Sequence, residues 1–226
     1  KKNIKVIGDS AESFGAIYKN KTVGTQALAH SFSFFANKNI TTGEGGIVTT
    51  NDQELFKKLS IIRNQGQEGR YNHTYLGNNF RMTDISAAIG IEQLKKIDSL
   101  LDEKVNIAEK YSMAFSTISA IESPFVPEYV TRPSWYMYAI TVDPEMQKFL
   151  LDYLEEKRIE TRLSFPPVHI QPYYQNKFCF DLNSFPHALK SFKSFIDIPI
   201  WADMGLENQK FVIDKILEAL NLFNVR

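Results

Sequence analysis

Residues Ser31–Gly46 read SFSFFANKNITTGEGG, and the reading of this stretch organises the rest of the chain. Phe32 and Phe34 alternate with Ser31 and Ser33, the period-two pattern of a strand with one apolar face and one hydroxyl-bearing face. Strand character is expected from Ala29 to Phe35. Lys38 then precedes a glycine cluster, Gly43–Gly46, that reads as the turn of a hairpin leading to a strand over Gly46–Thr50. The GEGG turn lacks the spacing and the Lys-Ser/Thr pair of a phosphate-cradling P-loop. Lys38 therefore stands where a sheet gives way to a loop. Most lysines are simply solvated; its surroundings single this one out.

Upstream, a strand over Lys5–Gly8 leads to Asp9, and Ile4, Val6 and Ile7 read as a buried strand entered at once. A lysine and a carboxylate at neighbouring strand ends suit covalent chemistry on pyridoxal phosphate. The amine condenses with the cofactor's aldehyde, and the carboxylate keeps the pyridine nitrogen protonated so that the ring draws electrons. Downstream, Asn51 and Glu54 form a capping-box pattern opening a helix to Ile62 that stops near Gly66. Arg63–Phe80, rich in Gly, Asn and Gln, is expected to be a long loop. From Thr83 and Asp84 one helix of about 30 residues is expected, with Ile85, Ala88, Ile89, Leu94, Ile97, Leu101, Val105 and Ala108 as its buried stripe. Trp135–Val142 reads as a strand with Trp135, Tyr136 and Tyr138 in the core. A helix over Gln147–Lys157, a proline-rich extended loop over Thr161–Tyr174, a strand over Ile196–Ile200 and a closing amphipathic helix through Ile213–Leu220 follow. Strands and helices alternate, so the fold class is α/β.

The 226 residues are enough to bury a substantial core. Twenty-six basic and 26 acidic residues balance, which provides no overall electrostatic drive toward nucleic acid or an anionic membrane. No apolar run is long enough for a membrane span. The single cysteine, Cys179, cannot form an internal disulfide, in keeping with a cytoplasmic setting. No Cys/His/carboxylate set has metal-ligand spacing, so no metal is expected.

Three segments occur in order: VIGDSAESFGA (6–16), SFSFFANKNITTGEGG (31–46) and LGNNFRMTDISAAIGIEQL (76–94). Together they resemble the DegT/DnrJ/StrS family of sugar aminotransferases, and IETRLSFPPVHIQPYY (159–174) and IDIPIWADMGLENQ (196–209) resemble its C-terminal part. The resemblance implies a fold-type-I pyridoxal-phosphate transferase, with the later part of the large mixed-sheet domain over residues 1–103 and the small C-terminal α/β domain over 104–226. It implies that Lys38 bonds the cofactor covalently and shuttles protons, that Asp9 pairs with the ring nitrogen, and that Glu12 lies near the phenolic oxygen. Ser33 is implied to bind the phosphate. Asn79 is implied to reach the phosphate of a neighbouring subunit, which makes the enzyme a homodimer with shared active sites. The later segments look closest to perosamine-synthase-like members. Arg162 and His169 are then candidate contacts for a nucleotide-linked 4-keto-6-deoxy sugar, with glutamate as the expected amino donor.

The chain departs from the family pattern at Gly8, where Glu is usual, and at Ala29 and His30. It matches about the latter three-fifths of such proteins, so the phosphate-binding helix and ring-stacking residue of the earlier part are expected to be missing, with apolar faces left uncovered. Two alternatives stand beside the aminotransferase: an inactive or non-catalytic scaffold of the same fold, and a sugar dehydratase of the same branch, which carries histidine in place of Lys38.

Overall fold

Why Ala29–Ser33 forms a central strand is visible in its burial. In the computed structural model, which describes residues 2 and 4–225, Phe32 is buried on one face while Ser31 and Ser33 are half-exposed on the other. Strand β1 (Ile7–Asp9) is followed by a short pair, β2 (Ile17–Tyr18) and β3 (Lys21–Thr22), and then by β4 (Ala29–Ser33) and β5 (Gly46–Thr49). The first sheet runs β1-β4-β5, with β1 parallel and β5 antiparallel to β4. Asp9 pairs with Ser31, so alternation puts Asp9, Ser31 and Ser33 on one face and Gly8, His30 and Phe32 on the other.

Helices α1 (Gln53–Arg63), α2 (Asp84–Leu94) and α3 (Ile97–Phe115) follow. Helix α1 is capped by Asp52, whose carboxylate accepts from Leu55 N–H at 2.9 Å, one residue beyond the expected cap. The Gly-rich loop after it is held by two close approaches. A Cβ at Gly66 would lie 1.8 Å from Tyr75 O, and one at Gly77 would lie 2.3 Å from Gly66 N. The expected 30-residue helix is instead two. The chain tightens at Lys95–Lys96, where Lys96 N–H donates to Gln93 O at 3.1 Å, and α3 starts anew. The expected buried stripe also fails in α2: Ile85 is 77% exposed, whereas Leu101 and Ala108 of α3 are fully buried. Ile4, Val6 and Ile7, expected inside, are exposed as well.

Strands β6 (Val130–Arg132) and β7 (Tyr138–Thr141), helices α4 (Pro144–Glu156), α5 (Pro172–Phe178) and α6 (Pro186–Ser194), strand β8 (Phe195–Ile198) and helix α7 (Leu206–Asn224) complete the chain. The expected extended loop thus holds a 3-10 turn, Val168–Ile170, and the start of α5. Two compact units result. One takes the residues up to Asp102 with Pro127–Tyr136; the other takes Glu103–Val126 and the chain from Met137 onward. Residues 127–136 thus lie with the first unit, because β6 pairs with β2 beside β3.

In the second unit β7 and β8 pair antiparallel, Tyr138 opposite Ile198 and Ile140 opposite Ile196. These four side chains are at most 2% exposed, and each such burial is worth about 1.5–3 kcal/mol. Met146, Leu150, Tyr153 and Leu154 of α4 and Val212, Ile216, Ala219 and Leu220 of α7 are buried at helical spacing. Tyr111 donates its hydroxyl to Pro199 O at 2.9 Å, and Gln209 donates to Ile107 O at 2.7 Å, so these two polar groups of the core are matched.

Candidate active site

Lys38 sits in the link between β4 and β5. The base of this link is closed by Phe34 N–H to Gly45 O (2.9 Å) and Thr42 N–H to Phe34 O (3.0 Å), and Lys38 N–H closes a tight turn on Phe35 O (3.0 Å). Ile40 and Thr42 are buried and anchor it. The Lys38 side chain is only 13% exposed, and its Nζ lies 3.1 Å from Glu12 Oε1. It also lies 4.1 Å from the centroid of the Tyr136 ring. Burial lowers the Lys38 pKa, but the hydrogen bond and charge of Glu12, helped by Tyr136, outweigh it and leave it raised above the usual lysine value.

The loop after β1 delivers Glu12. Ser10 N–H donates to Ser31 O at 2.9 Å, and Phe14 packs edge-on against Phe32 and Phe34, with centroids 5.2 and 5.3 Å away. Below it lies His30, buried at 6% exposure. Its Nε2 accepts from Ala27 N–H at 3.1 Å, so its ring proton sits on Nδ1 and is donated to Ser10 Oγ at 2.8 Å. A Cβ at residue 8 would meet His30 Nδ1 at 2.4 Å. The two departures at Gly8 and His30 therefore belong together: the imidazole fills the space that a side chain at position 8 would need.

Asp9 ends β1 with an exposed carboxylate, whose Oδ1 accepts from Ala11 N–H at 3.2 Å. Ser33 Oγ accepts from Phe35 N–H at 3.3 Å, which leaves its own proton to donate. An amine, a carboxylate and a hydroxyl donor on adjoining strand ends form a donor set that fits pyridoxal phosphate. Asn79 is exposed, and its Oδ1 accepts from Arg81 Nε at 2.9 Å. In the second unit Arg162 exchanges backbone hydrogen bonds with Asp197 (3.0 and 2.9 Å) and pairs Nε with Asp197 Oδ2 at 3.3 Å. His169 is buried, its Nε2 on Leu182 O at 3.2 Å and its ring 4.8 Å from Phe185.

The family model for the DegT/DnrJ/EryC1/StrS aminotransferases matches residues 1–217. The chain belongs to that family. It is 40% identical to the GDP-perosamine synthase of Escherichia coli O157:H7, over 78% of this chain and 49% of that protein. It is 32% identical to the UDP-4-amino-4,6-dideoxy-N-acetyl-beta-L-altrosamine transaminase of Helicobacter pylori, over 100% of this chain and 61% of that one. Its fold matches the solved structure of Helicobacter pylori PseC, an aminotransferase involved in the biosynthesis of pseudoaminic acid. There the TM-score is 0.87 at 29% identity, covering 96% of this chain and 59% of that one. The chain thus spans between about half and three-fifths of the length of these relatives. Among the described residues no helix is long and apolar enough to cross a membrane.

The residue that sequence reading misplaced is Tyr136. Strand-period aromatics put Trp135, Tyr136 and Tyr138 in one core, yet only Tyr138 is fully buried. Trp135 has a left-handed backbone, φ 43°, which ends the alternation before β7 and releases Tyr136 toward Lys38. Pro133 and Ser134, just before the aromatics, were the available hint of a break.

Proposed function

We propose that this chain supplies the catalytic lysine and pyridoxal-phosphate site of an aminotransferase that moves an amino group from glutamate to the ketone of a nucleotide-linked 4-keto-6-deoxy sugar. The observation that carries the reading is the placement of the Lys38 amine, largely shielded from water and 3.1 Å from Glu12, beside the strand that ends in Asp9. When bound, pyridoxal phosphate supplies an aldehyde carbon for the lysine and an electron-withdrawing ring for the amine-bearing carbon. Asp9 holds a proton on the ring nitrogen, since a carboxylate there favours the charged form. Ser33 Oγ donates to a phosphate oxygen. Lys38 Nζ carries a proton on and off the substrate carbon, with Glu12 taking up the ammonium when the amine is not engaged. Asn79 is assigned to the phosphate of a second copy, which makes the working unit a homodimer. Lys38 stands where a dehydratase of this branch carries histidine, which favours amination. The resemblance to a perosamine synthase favours a GDP-linked acceptor.

The test is a half-reaction. Protein loaded with pyridoxal phosphate and given glutamate is expected to release one 2-oxoglutarate per site, and Lys38→Ala none. A wild-type protein that takes up no cofactor and releases no 2-oxoglutarate defeats the reading. A GDP-linked keto sugar is expected to discharge the amino group faster than its UDP-linked counterpart.

A further inference from the structure

Tyr136 is brought to Lys38 by a segment stitched to the loop that carries Glu12. Arg132 of β6 donates from Nε (3.2 Å) and Nη2 (2.9 Å) to Gly15 O, while its Nη1 pairs with Asp98 at 2.8 Å. Two residues on, Ser134 Oγ donates to Glu12 O at 2.6 Å. Ser134 O in turn accepts from Asn39 Nδ2 at 2.7 Å, the residue after the lysine. Residues 132–134 therefore tie together both sides of the ion pair, and Trp135 then turns the chain so that the Tyr136 ring lies against Nζ.

We propose that Tyr136 is a positioning residue for Lys38, its ring face holding the amine against Glu12 on a strap formed by residues 130–136. This rests on the reading of Lys38 as the cofactor lysine. A carbonyl is attacked by the neutral amine, whereas a ring face and a carboxylate both favour the ammonium. The contact therefore parks Lys38 in its charged form at one place, ready to be released when a cofactor or substrate displaces Glu12 or the ring. Among the described residues, the titratable groups that act on Lys38 are Glu12, from the loop after β1, and Tyr136, from the strap.

The inference is tested without cofactor, by acetic anhydride labelling of the whole protein across a pH series, with mass spectrometry reading the Lys38 peptide. Tyr136→Ala is expected to lower the Lys38 labelling midpoint by about one pH unit, roughly tenfold more free amine at neutral pH. Tyr136→Phe, which keeps the ring face and loses the hydroxyl that also raises the Lys38 pKa, is expected to fall between wild type and Tyr136→Ala. If Tyr136→Ala does not fold, Tyr136→Leu carries the same expectation. A midpoint unchanged by loss of the ring overturns the proposal, because a merely structural tyrosine would alter stability and leave the titration alone. Failure of the wild type to capture pyridoxal phosphate would count against the aminotransferase reading instead, and the labelling result would still decide the role of Tyr136.

Discussion

The two units of this chain solve the burial problem differently. In the second, Leu150, Leu154, Ile196, Ile198 and Ile216 are at most 2% exposed around a paired β7–β8, and four residues of α4 are buried. In the first, neither α1 nor α2 has a buried residue, and Ile47, Val48, Ile85, Ile89, Ile91 and Leu94 are exposed. Yet the first unit holds the lysine, the carboxylates and the serine. The second unit closes its core with residues of its own, while the first is tightly packed around β4, its flanking loops and Leu101 and leaves the outer faces of β5 and α2 open. Exposed apolar area on this scale is a surface that calls for a cover, in a chain that spans between about half and three-fifths of the length of its relatives.

Core truncation sharpens the contrast most. Leu154→Ala in the second unit is expected to cost about 2–5 kcal/mol by urea unfolding, while Ile85→Ala on α2 is expected to change stability by about 0.5 kcal/mol or less. If Ile85→Ala costs as much as Leu154→Ala, the α2 face is covered in solution and the contrast collapses. Next in size is a crowded spot of the first unit, where Gly8 faces His30. Gly8→Ala forces its methyl onto His30 and is expected to cost about 1–3 kcal/mol. Adding His30→Ala is expected to recover part of that loss, and a strictly additive double mutant would show that the two positions are not coupled.

A last, pH-dependent effect concerns Lys104, a half-buried cation of the second unit. Burial, with repulsion from Arg162 and partial relief from Asp197, lowers the Lys104 pKa to about 8. Between that value and the ordinary lysine range the unfolded chain holds more protons, so stability rises with pH there, and the penalty is fully present below it. Wild type is expected to gain stability from pH 7 to about 9.5, and Lys104→Met to gain less. Equal gains in the two proteins would place Lys104 outside the second unit's electrostatics.

The closed unit was the more legible of the two. Ile213, Ile216, Leu217 and Leu220 repeat at helical spacing because α7 buries one face of its own, and the strand near Ile196 is as apolar as a buried strand requires. In the first unit local pattern misled wherever apolar residues face water, as at Ile4, Ile85 and Ile89. Periodicity records that a face is apolar and not what covers it. Strand β4 and the place of Lys38 were readable because alternation and glycines are local signals. The Glu12–Lys38 contact was not readable, since it joins residues 26 apart across two loops. The return of residues 127–136 to β2, and with it the approach of Tyr136, rests on pairing over more than 100 residues and leaves no local mark.

The central claim is that the Lys38 amine is the point at which cofactor is held covalently. Borohydride reduction of protein equilibrated with pyridoxal phosphate, followed by peptide mass mapping, tests it directly. The reduced cofactor is expected on the peptide containing Lys38 and to be lost in Lys38→Ala. Cofactor mass spread over surface lysines, unchanged in the variant, would contradict it.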